Sequence, residues 1–212
     1  MEIELKYKIK DKALMSGILG DEWLASIEEK GTREQLFMKA AYFDTECHIL
    51  SKNDIAFRVR MEGSRLVASL KWNDTGSDGL HMREEVNVPV DDPKCFIAPS
   101  PEIFGESDVG KDVIDLLNGR PLRSILEMSF LRSKFRIDTG EAICELSMDD
   151  GEIVTDFGNC RISEMEIELF SGEKEGLLRV GEKIAEKYGL EPERESKYAR
   201  GLRLAIGCEG GK

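Results

Sequence analysis

The chain opens on a two-residue rhythm. In MEIELKYKIK the charged residues Glu2, Glu4, Lys6 and Lys8 alternate with Ile3, Leu5, Tyr7 and Ile9. Successive side chains of an extended strand point to opposite faces, so this stretch predicts a strand carrying one ionic row over an apolar back. The spacing then turns helical. In DKALMSGILGDEWLASIEEKG, Leu14, Ile18, Leu19, Trp23, Leu24 and Ile27 fall on one side, with Asp11 as the cap, Gly31 as the stop, and Gly17 and Gly20 as possible breaks.

From about residue 34 to 90 the period returns to two. QLFMKAAYFDT, IAFRVRMEG, RLVASLKW and LHMREEVNVPV predict four strands in an antiparallel meander, with turns at EGS and NDTGSDG. DDPKCFIAPSPEIFGESD holds three of the six prolines and reads as a loop, and KDVIDLLNG as a short helix stopped by Gly119. Three further strands follow in ILEMSFLRSKFRID, AICELSMDDGEIVTD and CRISEMEIELFSG, with Asp149 and Asp150 before Gly151 reading as a turn. Two helices end the chain: KEGLLRVGEKIAEKYGL, closing at Gly189, and SKYARGLRLAIG, with Ser196 as its cap. No low-complexity tract or solenoid repeat interrupts this order. Many strands with few long helices predict an α+β fold, an antiparallel sheet curled into a closed barrel with helices packed outside.

Composition narrows the function. At 212 residues, 41% of them hydrophobic, the chain can build its own core. A formal net charge of −12, with both signs interspersed, argues against coating nucleic acid or an anionic membrane, so any polyanion must find a locally cationic pocket. Cys47, Cys95, Cys144, Cys160 and Cys208 are scattered without close pairs, which predicts reduced thiols in a cytoplasmic protein and no structural zinc. No apolar run has the ~20 residues of a membrane span, and the N-terminus lacks a signal-peptide core.

The opening ionic row is one of several. Arg58 and Arg60 share a face; so do Arg83, Glu85 and Asn87; Arg132, Lys134 and Arg136; Glu145, Ser147 and Asp149; and Glu164, Glu166 and Glu168, while Lys71 shares the face of Val67 and Ser69. A solvated outer sheet face accounts for any one of these rows. It does not account for three glutamates about 6 to 7 Å apart on one strand alongside purely cationic faces on others. Acidic and basic strands facing each other across a closed barrel would line a tunnel with both. There arginines and lysines clamp phosphate oxygens, and carboxylates hold hard cations such as Mg²⁺ or Mn²⁺. Without the cation the carboxylates would repel a polyphosphate by roughly 4 kcal/mol per close pair at an effective dielectric near 20. His48 and His81 read as loop or surface residues, and Trp23 and Trp72 as core.

Taken in order, the Glu-x-Glu-x-Lys of MEIELK, YFDT, the Arg-x-Arg of AFRVR, the lysine of SLKW, the Arg-x-Glu of MREEV, the Arg-x-Lys of LRSKF, the Glu-x-Glu-x-Glu of EMEIE and the final SKYARG resemble the CYTH family of triphosphate tunnel metalloenzymes. The resemblance runs from Glu2 to about Leu204 and is nearest the bacterial branch that hydrolyses inorganic triphosphate. It implies one CYTH domain over 1–212, without the long C-terminal extension of some bacterial relatives. It implies an eight-stranded barrel open at both ends and dependence on Mg²⁺ or Mn²⁺. By position, Glu2, Glu4 and Glu168 match metal ligands, with Glu85 and Glu166 helping to hold a second ion or its water. Lys6, Arg58, Arg60, Lys71, Arg83, Arg132, Lys134 and Lys197 match phosphate-binding positions; Arg136 and Arg200 match more loosely. The implied chemistry is in-line attack of water on a terminal phosphoryl group, Glu85 or Glu166 accepting its proton and Lys71 or Lys6 neutralising the leaving pyrophosphate. The rival readings are a thiamine triphosphatase, an adenylate cyclase and a polyphosphate-binding module without turnover. An organic substrate would need a pocket supplied by a residue such as Tyr42, Phe57 or Trp72. The partner is a small-molecule triphosphate, and the oligomeric state stays open.

Overall fold

A computed structural model describes residues 1–207. Eight strands form the barrel: β1 (Glu2–Lys8), β2 (Glu34–Asp44), β3 (Ile55–Glu62), β4 (Arg65–Ser77), β5 (Leu80–Val90), β6 (Arg123–Asp138), β7 (Ala142–Thr155) and β8 (Gly158–Gly172). All neighbours are antiparallel, in the order β5-β4-β3-β2-β6-β7-β8-β1, and β1 also pairs with β5, which closes the sheet on itself. β1 is the seam. Glu2 lies opposite Arg83 on one side, and Glu4 and Lys6 lie opposite Glu168 and Glu166 on the other. A two-residue strand, β9 (Glu191–Pro192), continues beyond β5 along the same edge of β1.

The period-two segments form strands because one face of each meets an apolar layer. Outside β1, β6, β7 and β8, the residues Leu5, Tyr7, Phe135, Leu146, Met148 and Ile167 pack on helices α1 (Lys12–Leu19), α2 (Glu22–Ile27) and α5 (Lys174–Tyr188). Outside β2 to β5, Phe43, Phe57, Val59, Ala68 and Leu70 pack with α3 (Ile49–Lys52), α4 (Asp108–Leu117) and the 3-10 turn at Pro101–Phe104. Full burial of each such side chain is worth about 1.5–3 kcal/mol. The third apolar group is inside the barrel: Met38, Ala40, Tyr42, Leu126, Met128, Ile153 and Ile162 fill one end beneath Tyr198 of α6 (Lys197–Ile206). The helix sits flush there, because a β-carbon at Gly201 would lie 2.8 Å from the Leu126 side chain. Ser196, Lys197 and Tyr198, at the start of α6, border the central cavity at this end.

Several local expectations also change. The first helical stretch breaks at Gly20, and Asp21 caps the second piece by accepting the Leu24 amide at 3.0 Å. It ends at Ile27 rather than Gly31, because Glu28 is drawn into a bridge with Ile137. The fourth strand runs deep into NDTGSDG, to Ser77, and the fifth starts at Leu80, leaving Asp78 and Gly79 as the turn. The proline-rich loop contains two 3-10 turns, at Pro93–Phe96 and Pro101–Phe104. The helix α3 is new; the buried Asp44 holds it by accepting the amides of Leu50 and Ser51, each at 2.9 Å. Asp149 and Asp150 make no turn: β7 runs through them, and Gly151 is there because a β-carbon would sit 2.1 Å from the Ser129 carbonyl oxygen. His48 and His81 are both buried, not on the surface; the His81 ring lies 3.1 Å from the Glu193 carbonyl oxygen. No helix among the described residues is long and apolar enough to cross a membrane. Cys47, Cys95, Cys144 and Cys160 are free thiols, and Cys208 lies outside the described residues.

Candidate functional site

The ionic rows converge inside the barrel. The alternation of each strand turns its apolar residues outward to the helices and its charges inward. Glu2, Glu4, Lys6, Arg58, Arg60, Lys71, Arg83, Arg132, Glu166, Glu168 and Lys197 line one central cavity. Four carboxylates against seven cations make this a locally positive space within a chain of formal charge −12. Glu85 and Lys134 line a second cavity at the mouth away from α6, together with Glu62, Asn87 and Glu145. Arg136 borders neither cavity; its guanidinium stacks 4.0 Å from the centre of the Phe170 ring. Arg200 is likewise outside, held by Glu164 and by Glu193 at 3.3 Å.

Two zones differ in how completely these charges are matched. Near α6, Glu166 accepts from Lys6, from Arg132 at 2.6 Å and from Lys197 at 2.9 Å. Asp149, at 0% exposure, takes Arg132 through both oxygens at 2.7 Å and also pairs with Lys197 at 2.7 Å. Glu164, also at 0% exposure, pairs with Lys197 and Arg200. The ligand atoms of Asp149, Glu164 and Glu166 lie within 4.8 Å of one another, a spacing that suits a metal, but each is already occupied by cationic side chains. Burial by itself would raise the Glu166 and Asp149 carboxyls. The cations outweigh it and hold both below the ordinary range, Lys197, Lys6 and Arg132 acting on Glu166 and Arg132 and Lys197 on Asp149.

Toward the mouth the matching is partial. Glu2 accepts from Lys71 at 2.8 Å and Arg83 at 2.5 Å; Glu4 accepts from Arg83 at 2.6 Å and forms an ion pair with Lys6 at 2.9 Å. Glu168, facing Glu4 in register, has no cationic partner among the described residues, and burial together with Glu2 and Glu4 pushes its carboxyl up to about 7. Arg58 is buried, has no acidic partner among the described residues and donates to the Ser69 hydroxyl at 3.2 Å, with the Tyr42 phenol also beside it; its Nε is unsatisfied, as is that of Arg60. Burial first, then Arg58, lowers the Arg60 guanidinium to about 10. Burial and the neighbouring Arg83 and Arg58 lower the Lys71 ammonium, whereas for Lys6 the carboxylates of Glu166 and Glu4 outweigh burial and raise it.

Outside the residues matched to metal or phosphate, Asp149 and Tyr42 stand out. Asp149 belongs to the row it shares with Glu145 and Ser147 rather than to the turn that DDG suggests. Tyr42 lines the central cavity and stacks on Tyr198 at 4.9 Å, and Arg58, Lys71 and Arg83 draw its phenol down against the effect of burial. Tyr42, Trp72 and Tyr198 also border a side cavity of about 170 Å³ that shares Lys71 and Arg83 with the lumen. Trp72 is therefore both a cavity wall and part of the outer apolar layer, while Phe57 lies wholly in that layer.

A closed eight-stranded antiparallel barrel with opposed charges in its lumen defines a small class of proteins. The CYTH domain model matches residues 1–202, and the chain belongs to that family. It is 28% identical over 208 residues, 96% of its length, to the inorganic triphosphatase of Haemophilus influenzae, of which it covers 54%. The chain thus spans about half the length of that curated relative. Among solved structures it resembles a candidate adenylyl cyclase from Hippeastrum described as having a dominant triphosphatase activity, with a TM-score of 0.71, 21% identity and coverage of 99% and 96% of the two chains. A candidate adenylate cyclase from Bacillus halodurans gives 0.58, 21% identity and coverage of 94% and 96%. At these identities the structural likenesses establish the fold.

Proposed function

We propose that this protein is a divalent-metal-dependent hydrolase that cleaves the terminal phosphoanhydride of inorganic triphosphate, giving pyrophosphate and phosphate. The observation that carries the reading is the uncompensated pair in one lumen: among the described residues, Arg58 is a buried arginine without an acid and Glu168 a carboxyl without a cation. A bound polyphosphate answers the first and a metal ion the second.

Glu2, Glu4 and Glu168 are three carboxylates on adjacent strands of the kind that hold a hard divalent ion; Glu168, its carboxyl raised by burial and then by Glu2 and Glu4, is open to one, and the ion would replace Lys71, Arg83 and Lys6 on Glu2 and Glu4. Mg²⁺ or Mn²⁺ held there would offset phosphate charge and make water a stronger nucleophile. Arg58, Arg60, Lys71, Arg83, Arg132 and Lys6 would hold the phosphate oxygens, with Lys134 at the mouth and Lys197 at the α6 end. Glu166, engaged by three cations, is a poor proton acceptor. Glu85, whose single cationic partner is Lys71 at 3.0 Å, suits that role better. Lys71, its ammonium pKa lowered, suits proton donation to the leaving pyrophosphate better than Lys6, which the neighbouring acids keep protonated. The free thiols support a cytoplasmic setting.

The side cavity favours a second reading, an organic triphosphate such as thiamine triphosphate or, for a cyclase, ATP, because its aromatic wall adjoins Lys71 and Arg83. Phosphate release from inorganic triphosphate, thiamine triphosphate and ATP, each with Mg²⁺ or Mn²⁺, separates the readings. Preference for inorganic triphosphate is expected; cyclic AMP formation points to the cyclase. No phosphate from any of the three leaves only a polyphosphate-binding module.

A further inference from the structure

Resting on the reading of the lumen as a triphosphate site, we infer that Asp149 is a positioning residue for phosphate binding, acting through Arg132 and Lys197. Its carboxylate has no access to solvent or to either lumen cavity, yet both oxygens are used. Oδ1 accepts from Arg132 Nε and Oδ2 from Arg132 Nη2, each at 2.7 Å, and Oδ2 forms an ion pair with Lys197 Nζ, also at 2.7 Å. A two-point grip on the Nε–Nη2 edge fixes the plane of the guanidinium as well as its charge. Arg132 borders both the central and the mouth cavities. Its remaining Nη1 makes no hydrogen bond among the described residues, so that edge is the one left for a ligand. Lys197, on α6, and Arg132, on β6, belong to different elements. Glu166 on β8 also touches both cations, but Asp149 on β7 alone grips the guanidinium through two nitrogens while pairing with Lys197.

The alternative is that Asp149 only neutralises buried charge. Loss of a hydrogen bond to a charged group is worth roughly 10- to 100-fold in an equilibrium constant. Asp149→Asn keeps the shape and removes the charge and the fork. It should raise KM for inorganic triphosphate, and the calorimetric Kd for the same anion, by about that factor, with a smaller change in kcat. Because part of the effect of Asp149 runs through Arg132, Asp149→Asn added to Arg132→Ala should cost less than the two single losses multiplied, the remainder being the share carried by Lys197. A neutralising role predicts instead a lowered melting temperature with KM unchanged, or losses that multiply, and either result overturns the inference. Should Asp149→Asn fail to fold, Arg132→Lys removes the fork but keeps the charge, and a wild-type KM in that variant overturns it as well. Wild-type protein that neither binds nor hydrolyses inorganic triphosphate would overturn the functional reading and this inference together. Turnover by the wild type with a normal KM in Asp149→Asn overturns this inference alone.

Discussion

Glu164 and Glu168 stand four residues apart on the same face of β8 and do opposite things. Glu164 is sealed from solvent and answered by Lys197 and Arg200; Glu168 borders the cavity, faces Glu4 and has no cation among the described residues. The difference separates structural charge from working charge. A buried ion that is fully paired stabilises only in the sense that removing its partner is costly, whereas one left without a partner destabilises the resting molecule and is kept for what it binds. Both were one row of glutamates in the sequence, and only the placement of α6 tells them apart.

Substitutions at these sites should separate the two zones. Glu164→Gln leaves Lys197 and Arg200 short of charge and should cost about 3 kcal/mol, a fall of roughly 6–12 °C in Tm for a chain of this size, read by thermal melting. Glu168→Gln should leave Tm at or above that of wild type in metal-free buffer, because it relieves repulsion from Glu2 and Glu4. Phosphate release with Mg²⁺ or Mn²⁺ should nonetheless fall roughly 10²- to 10³-fold, and a chelator should abolish wild-type turnover. A large fall in Tm for Glu168→Gln with turnover preserved would erase the distinction. Arg58→Met belongs with Glu168: KM for inorganic triphosphate should rise roughly 10- to 100-fold, with stability unchanged or improved.

The smallest effect is one of pH. The Asp149 and Glu166 carboxyls are held below their unfolded values of about 4. Their stabilisation is therefore present above pH ~4 and lost as the pH falls through the lower folded values. Circular dichroism between pH 2 and 5 should show a shallower acid limb for Asp149→Asn than for wild type; equal limbs would remove these carboxylates from the acid response.

Much of this arrangement can be read from the chain itself. The strands are legible because burial on one face imposes period two, and the charged rows because the other face is just as regular. Two kinds of feature escape. Short pieces such as α3 exist because of one tertiary contact, the Asp44 cap, rather than any periodic signal. The DDG of β7 has local turn chemistry that the sheet overrides, since Gly151 is needed where the neighbouring strand approaches. For the site, alternation indicates which face each charge occupies but not its partner. That Glu166 is taken by Lys6 of β1, Arg132 of β6 and Lys197 of a helix about 30 residues further along, while Glu168 has no cation among the described residues, follows only from the assembled barrel.

The seam strand also sets a timetable for synthesis. β1 leaves the ribosome before the other strands of the barrel, yet Glu4 bonds Arg83, 79 positions later, and Lys6 bonds Glu166, 160 positions later. Until β8 has emerged, a segment alternating acid, base and oily residues has one edge or both unpaired, the condition in which strands stick to strangers. Its unbroken run of Glu and Lys at every second place supplies, during that wait, the charge that discourages such pairing.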